Sequence, residues 1–437
     1  MASAQDAAAT SDAILLIARS IGRGAPAVNR ASGAPRCRIG GSEGRKPMKR
    51  FSMPNSAAMA LAFTAAALLG LTPVLSRAAA EEGSTASAST ATAAAEQGRL
   101  VGLAFAGRSV SNLDRSIAFY ETLGFQLDPA APPTWRREEV FQRIDGIANA
   151  RGVTTRMAKM YVNEPAGGRF VIYLRELKGI PRRNLSHHTA WEPGASHFGL
   201  VVADAPELWS RLEKRGMLHA LSWGGKLIAP PGQKKGMIAY ITDPDGIDIE
   251  IIDQRPASPA VDGRPARPAL LPGVNHVGLV VLDSAKARAF YGDLLGGKLV
   301  STESPWMHGD FYDAAVGGHG NILRFFNESF PAAFEARLAG SDPALASPAP
   351  GSRINFEMVE FQNRKKPVAP ARITDIGVGY VGFEVEGLDA FLARARAHGA
   401  RLVSDGIVTM RGGGTRVAMI RDPDVGGFVE LFDHPHK

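Results

Sequence analysis

Two histidines each open an apolar run, in His197-Phe-Gly-Leu-Val-Val and in His276-Val-Gly-Leu-Val-Val. Two glutamates each interrupt one, Glu250 in Ile249-Glu250-Ile251-Ile252 and Glu430 in Phe428-Val429-Glu430-Leu431-Phe432. Short runs of this kind form strands, and alternation puts Glu430 on the face opposite Val429 and Leu431. An ionised carboxylate in such a strand is costly unless it is paired, protonated or bound to metal. An imidazole and a carboxylate converging on one cavity suit a divalent transition metal. Taken singly, each residue also fits a plainer role: a hydrogen-bonded core histidine, or a glutamate paired with an arginine. The recurrence of both features at matching places is what argues for shared chemistry.

Other polar clusters carry less. His187-His188 sits in a polar loop. His308 and His319 flank Asp310 and Tyr312 in a Gly-rich stretch that reads as a hairpin bordering a cavity. Gly412-Gly413-Gly414 leads from one strand into another, Val417 to Ile420, which makes it a hairpin turn rather than a phosphate loop. His434 and His436 lie at the frayed C-terminus. No Ser-His-Asp elbow and no dinucleotide fingerprint is present.

The elements that must position these residues repeat. Ser116-Ile117-Ala118-Phe119-Tyr120 recurs as Ala287-Arg288-Ala289-Phe290-Tyr291, and Asp243-Pro244-Asp245 recurs as Asp422-Pro423-Asp424. The intervals of 171 and 179 residues imply two copies of a domain, 98–254 and 273–435, joined by a Pro-rich linker over 255–272. Each copy divides again. In the first, Leu103 to Val110 is a strand, and Asn112 caps a helix carrying Ile117, Tyr120 and Leu123. His197 to Val202 is a second strand, followed by a helix capped by Asp204 and ended by Gly216. The second copy offers His276 to Val281 with a helix from Asp283, then Val378 to Val385 with a helix through Phe391, ended by Gly399. Two or three strands follow each helix. Such a unit is too small to bury its sheet face alone. Pairing units around shared cavities predicts an α+β fold of four βαβββ modules. The spacing leaves open whether modules pair within a copy or swap between copies.

The phrase His276-Val-Gly-Leu-Val-Val-Leu-Asp, followed by Ala289-Phe-Tyr-Gly-Asp-Leu-Leu-Gly, resembles the opening module of vicinal-oxygen-chelate proteins. Asp243-Pro-Asp-Gly-Ile-Asp-Ile-Glu-Ile resembles their closing strand. This superfamily unites glyoxalases, bleomycin-resistance proteins and extradiol dioxygenases. The resemblance covers nearly all of 98–435 and implies modules paired into two cup-shaped domains, with metal ligands on the first and fourth strand of each module. It implies His197 and Glu250 as the remaining ligands of a degenerate first domain, where Phe105 and Tyr173 fill the other two positions. In the second domain it implies His276, Glu357 and Glu430 as ligands, with Tyr380 in the fourth position. Glu357, Glu430 and Tyr380 are then the candidate catalytic groups, and Glu360 replaces Glu357 if the register slips.

Two functions follow from the resemblance. One is a metal-dependent lyase or isomerase for a small oxygenated substrate, using Fe, Zn, Mn or Ni. Ring-cleaving dioxygenase chemistry fits less well, because its pattern needs two histidines and one glutamate, and neither domain by itself offers both histidines. The other is a metal-free protein that sequesters a small molecule in its cup.

Charge excludes a further class. The chain has 437 residues and a formal net charge of +7, but 1–80 alone hold ten Lys/Arg and three Asp/Glu. The remainder has 40 basic and 40 acidic residues, so it offers no electrostatic footprint for nucleic acid. Cys37, the single cysteine, also lies in that leader, which leaves no disulfide or thiolate site downstream. Met48-Lys49-Arg50, an apolar run from Ala57 to Leu75 and Arg77-Ala-Ala-Ala80-Glu81 have the order of a secretory signal cut after Ala80. The expectation is export to the periplasm or beyond; an uncleaved membrane anchor is the alternative. Met48 is then the expected start, with 1–47 an unstructured upstream segment and 81–97 a disordered tether.

Overall fold

The computed structural model describes residues 98–434, apart from 165–166, 186–195, 228–236, 254–259, 262–263, 266–269, 272, 301–305, 309–312, 315–321, 336–350, 363–370 and 411–413. The leader, the tether, His187-His188, His319, Asp310, Tyr312, Gly412-Gly413, His436 and most of the linker lie outside the described residues. Among the described residues no helix is long and apolar enough to cross a membrane.

The four modules are present. The first runs β1 (Arg99–Val110), α1 (Leu113–Leu123), β2 (Gln126–Leu127), α2 (Glu139–Ile144), β3 (Thr154–Asn163) and β4 (Arg169–Lys178). The second runs β5 (Ser196–Val202), α3 (Ala205–Lys214), β6 (Ile238–Thr242) and β7 (Asp248–Asp253). A short hairpin, β8 (Ala260–Val261) and β9 (Arg264–Pro265), falls in the linker. The third comprises β10 (Gly273–Val281), α4 (Ser284–Arg288) with a π-turn over Ala289–Leu294, β11 (Lys298–Leu299), β12 (Met307–His308), β13 (Ile322–Pro331) and β14 (Arg353–Phe361). The last comprises β15 (Val378–Glu386), α5 (Leu388–Ala397), β16 (Arg401–Leu402), β17 (Val408–Thr409), β18 (Arg416–Arg421) and β19 (Phe428–Asp433).

The helix starts follow the caps that the sequence offers. Asn112, Asp204 and Asp283 are extended, and each accepts from backbone N–H groups of the first turn. Gly216 and Gly399, just past α3 and α5, have φ of 63° and 91°, values only glycine adopts freely.

The strands pair across the two halves of the chain. One sheet has the order β16-β18-β19-β15-β1-β4-β3-β2, the other β11-β13-β14-β10-β5-β7-β6. The first module therefore shares a sheet with the fourth, through antiparallel β1 and β15, and the second with the third, through antiparallel β5 and β10. The division of the sequence into 98–254 and 273–435 is not the division between the sheets.

The repeated motifs have a separate job. Tyr120 of α1 donates to Asp243 at 3.1 Å, and Ser116 donates to Asp245 at 3.2 Å. In the second copy Tyr291 donates to Asp422 at 3.3 Å, and Asp424 accepts from the N–H groups of Leu282 and Asp283. The Asp-Pro-Asp turns thus tie the first module to the second and the third to the fourth on the helix side, while the sheets join the first to the fourth and the second to the third. Helix residues Phe119, Leu208 and Phe391 are fully buried in one core with Ala106, Ile172, Phe198 and Phe383 from both sheets. Large apolar side chains buried this way stabilise the fold by roughly 1.5–3 kcal/mol each. The neighbouring residues along each strand, Phe105, Val171 and Tyr380 in one sheet and Val280 and Val359 in the other, belong to two separate clusters on the opposite, concave faces.

A chain nicked within the linker tests this pairing. Its two pieces should co-elute in gel filtration and separate only in denaturant, because both sheets contain strands of both pieces. Two independently eluting halves would contradict the topology.

Candidate metal centre

His197 on β5, Glu250 on β7, His276 on β10 and Glu357 on β14 meet in one cup. Each offers one ligand atom, and the four atoms lie within 4.8 Å of one another. The two Nε2 atoms are 3.0 Å apart. Glu357 Oε2 is 3.2 Å from His197 Nε2 and 3.7 Å from His276 Nε2, and Glu250 Oε2 is 3.2 Å from His276 Nε2.

Local geometry brings the rings together. In the β5–β10 ladder His276 faces Gly199, and His197 faces Gly278. A Cβ on Gly199 would lie 2.2 Å from the His276 ring, and one on Gly278 would lie 1.9 Å from the His197 ring. Each imidazole occupies the space that a side chain on the opposing strand would fill. A register shift between Val274 and His276 accompanies this arrangement, as a bulge that turns a side chain does. The glutamates come from the strands parallel to these, with Gly199 paired with Glu250 and Gly278 with Glu357. Glu360 is turned away: it accepts from Arg324 at 2.8 Å and from the N–H of Ser284, so the register does not slip.

The electrostatics fit a cation. Burial disfavours a charged His276, but Glu357 and Glu250 outweigh that and hold its pKa above the ordinary value. Burial alone would raise Glu357, yet His276 and His197 pull it below the usual carboxylate range. Asn275 Oδ1 lies 2.8 Å from His276 Nδ1, placed to accept a proton there, and in the neutral ring that arrangement turns the Nε2 lone pair toward the other ligand atoms. Tyr240, directly opposite Glu250 on β6, has a pKa driven well up by burial and by the carboxylates of Glu250, Glu357 and Asp248. Two nitrogens and two carboxylate oxygens are a donor set suited to Fe, Zn, Mn or Ni.

Glu430 and Tyr380 do not join them. Both belong to the other sheet, which corrects their grouping with His276 and Glu357. The cause is the strand pairing: β15 and β19 hydrogen-bond toward β1, not β10. At the four corresponding positions of that second cup stand Phe105, Tyr173, Tyr380 and Glu430. The frame is the same, with Phe105 facing Gly382, Tyr380 facing Gly107, and Tyr173 and Glu430 paired with Gly107 and Gly382.

The sequence reading passed over Asn275, Tyr240, Arg175 and Asp145. Asn275 was readable as the polar neighbour of a buried histidine, and Tyr240 by alternation from Ala239 and Ile241. Nothing local marked the buried Arg175–Asp145 ion pair, 2.6 Å long, which borders the second cup.

A family description of the Glyoxalase/Bleomycin resistance protein/Dioxygenase superfamily matches residues 102–251 and again 273–427. The chain belongs to this superfamily. No curated protein matches it in sequence. Among solved structures it is similar to glyoxalase I from Zea mays, at 18% identity and a TM-score of 0.45 over 77% of this chain and 92% of that one. It is also similar to a putative dioxygenase from Bacillus subtilis, at 13% identity and a TM-score of 0.42 over 77% and 86%.

Burial lifts the Glu430 carboxyl from 4.5 to about 7, with Arg175 opposing and Asp145 adding to the rise. The folded state therefore holds this proton more tightly than the unfolded chain, and its contribution to stability falls as pH rises from about 4.5 through about 7. Glu430→Gln mimics the protonated form. It should leave stability unchanged at pH 4.5 and raise it at pH 8, by at most roughly 3 kcal/mol, as read by thermal melts at both pH values.

Proposed function

We propose that this protein is a divalent-metal enzyme, a lyase or isomerase acting on a small substrate with two neighbouring oxygens, and that its centre is His197, Glu250, His276 and Glu357. The observation that carries this reading is the convergence of two imidazoles and two carboxylates, from modules far apart in the chain, on one buried point. A bound divalent ion would supply Lewis-acid stabilisation of a developing enediolate or similar anion.

The protein's own residues supply the rest. His197 and His276 present their Nε2 atoms to the shared point, and Asn275 fixes the His276 ring. Burial of the set keeps competing water from the reacting atoms. Glu357 Oε2 is the proposed proton acceptor for a C–H next to a carbonyl. It lies 3.2 Å and 3.7 Å from the two imidazoles, whereas Glu250 also hydrogen-bonds the Tyr240 phenol. Two carboxylates beside two neutral imidazoles balance a divalent charge, which favours proton transfer over the ring-cleaving chemistry of a set of two histidines and one glutamate.

Metal analysis of protein purified without a polyhistidine tag should give about one Fe, Zn, Mn or Ni per chain. His197→Ala and His276→Ala should each lower the content at least tenfold, and Glu430→Gln should leave it unchanged. Chelation should abolish isomerisation of α-hydroxycarbonyl substrates, and metal should restore it. A metal-free protein whose ligand binding survives both histidine changes would replace this reading with sequestration. Export is part of the proposal and rests on the signal-like segment alone. Secreted or periplasmic material should begin near Glu81, and an intact Met48 start in a membrane fraction would contradict cleavage.

A further inference from the structure

The second cup holds a cavity of about 590 Å³, within the range of small-molecule sites. Its centre is aromatic. Phe105 meets Tyr173 edge-on at 5.0 Å and Tyr380 edge-on at 6.1 Å, and it stacks on Phe432 at 5.7 Å. Glu430 stands among these rings, and no described residue hydrogen-bonds its carboxylate.

The charges around it are unevenly matched. Arg175 borders the cavity, and Asp145 holds its Nη1 at 2.6 Å, while its Nε and Nη2 are buried without a hydrogen-bond partner among the described residues. Glu335 pairs with Lys159. Glu384 has a pKa raised by burial, with His434 opposing. Tyr173 and Tyr380 are held neutral, chiefly by burial. The carboxyl that the wall leaves without a hydrogen-bonded partner among the described residues is Glu430, whose charge appears above about pH 7. Aromatic faces also carry negative potential, which attracts a cation and does nothing for an anion.

From this enclosure we infer that the second cup binds an organic monocation with an apolar body, seating its charge against Glu430 inside the ring cluster of Phe105, Tyr173 and Tyr380. Above about pH 7 the cation gives the Glu430 carboxylate a direct partner, since Arg175 acts on it only at a distance and hydrogen-bonds Asp145 instead. The apolar body lies against Ala104, Val171, Met410 and Val417. This site is separate from the His197–His276 centre and does not depend on metal there.

Calorimetric titration of the full chain with three probes tests the inference. The probes are benzyltrimethylammonium, its neutral isostere neopentylbenzene, and 3-phenylpropanoate. The cation should bind at least tenfold more tightly than the other two, a preference within the range of a desolvated cation–aromatic contact plus a carboxylate. Glu430→Gln should erase that preference and leave neopentylbenzene binding unchanged, which also reports that the cup is intact. Phe105→Leu should weaken all binding. His276→Ala should leave the cation affinity where it was. Preferential binding of 3-phenylpropanoate, lost in Arg175→Lys, would overturn the inference and make Arg175 the anchor. So would equal affinity for cation and isostere, or no binding of the cation.

Discussion

The antiparallel pairing of β5 with β10 is the constraint on which the metal centre depends. It is a short contact between strands of opposite halves of the chain, and both histidines lie on it. Gly199 and Gly278 let each imidazole cross over the opposing strand, so the two Nε2 atoms reach 3.0 Å. Any side chain at either glycine would need the space of a ring. Parallel strands on either flank then bring one carboxylate each to the same point. Remove the pairing and two incomplete half-sites remain, each with one histidine and one glutamate.

The other sheet repeats the frame with different side chains. Phe105 lies over Gly382 and Tyr380 over Gly107, as the imidazoles lie over their glycines. A ring over a glycine is therefore the common structural element, and the ring's chemistry is what varies. Imidazoles make one cup a metal-type donor set. A phenyl and a phenol make the other an aromatic enclosure.

Much of this was readable in the chain because it is local. Asn112, Asp204 and Asp283 announce helix starts within three residues of the N–H groups they accept from. The repeated Phe-Tyr and Asp-Pro-Asp phrases announce a repeated contact, and they are the residues that touch. Their place in apolar strands singled out His197, Glu250 and His276, and the superfamily resemblance added Glu357. Their grouping was not readable. β1 and β15 meet across 269 to 287 residues, and hydrophobic patterning says which face of a strand is buried without saying which strand lies beside it. Glu430 consequently reads as a partner of His276, although its strand belongs to the other sheet. The Arg175–Asp145 pair was hidden for a related reason: an arginine in an alternating strand reads as solvent-facing until a short helix closes over it.

Both cups face one electrostatic problem, a carboxylate on the inner face of a sheet, and they resolve it differently. In the first, Glu250 and Glu357 stand beside two imidazoles, and His276 is held toward its charged form. The set asks for a cation small enough to sit among ligand atoms 4.8 Å apart or closer. In the second, Glu430 has rings for neighbours and an arginine already claimed by Asp145, so it keeps its proton to about pH 7. Among the described residues no group of three or more metal-type ligand atoms converges there, so a small ion would not find enough donors to replace its water. A larger cation with apolar substituents loses little hydration and gains the ring faces. The two walls are physically continuous. β13 pairs with β14 at Glu357, and the chain beyond it, pairing at Ala332 with Leu103, brings Phe334 and Glu335 to the aromatic cavity. One continuous segment, β13 and the residues that follow it, thus pairs with the strand of Glu357 and lines the aromatic cavity, so the two rest on the same backbone.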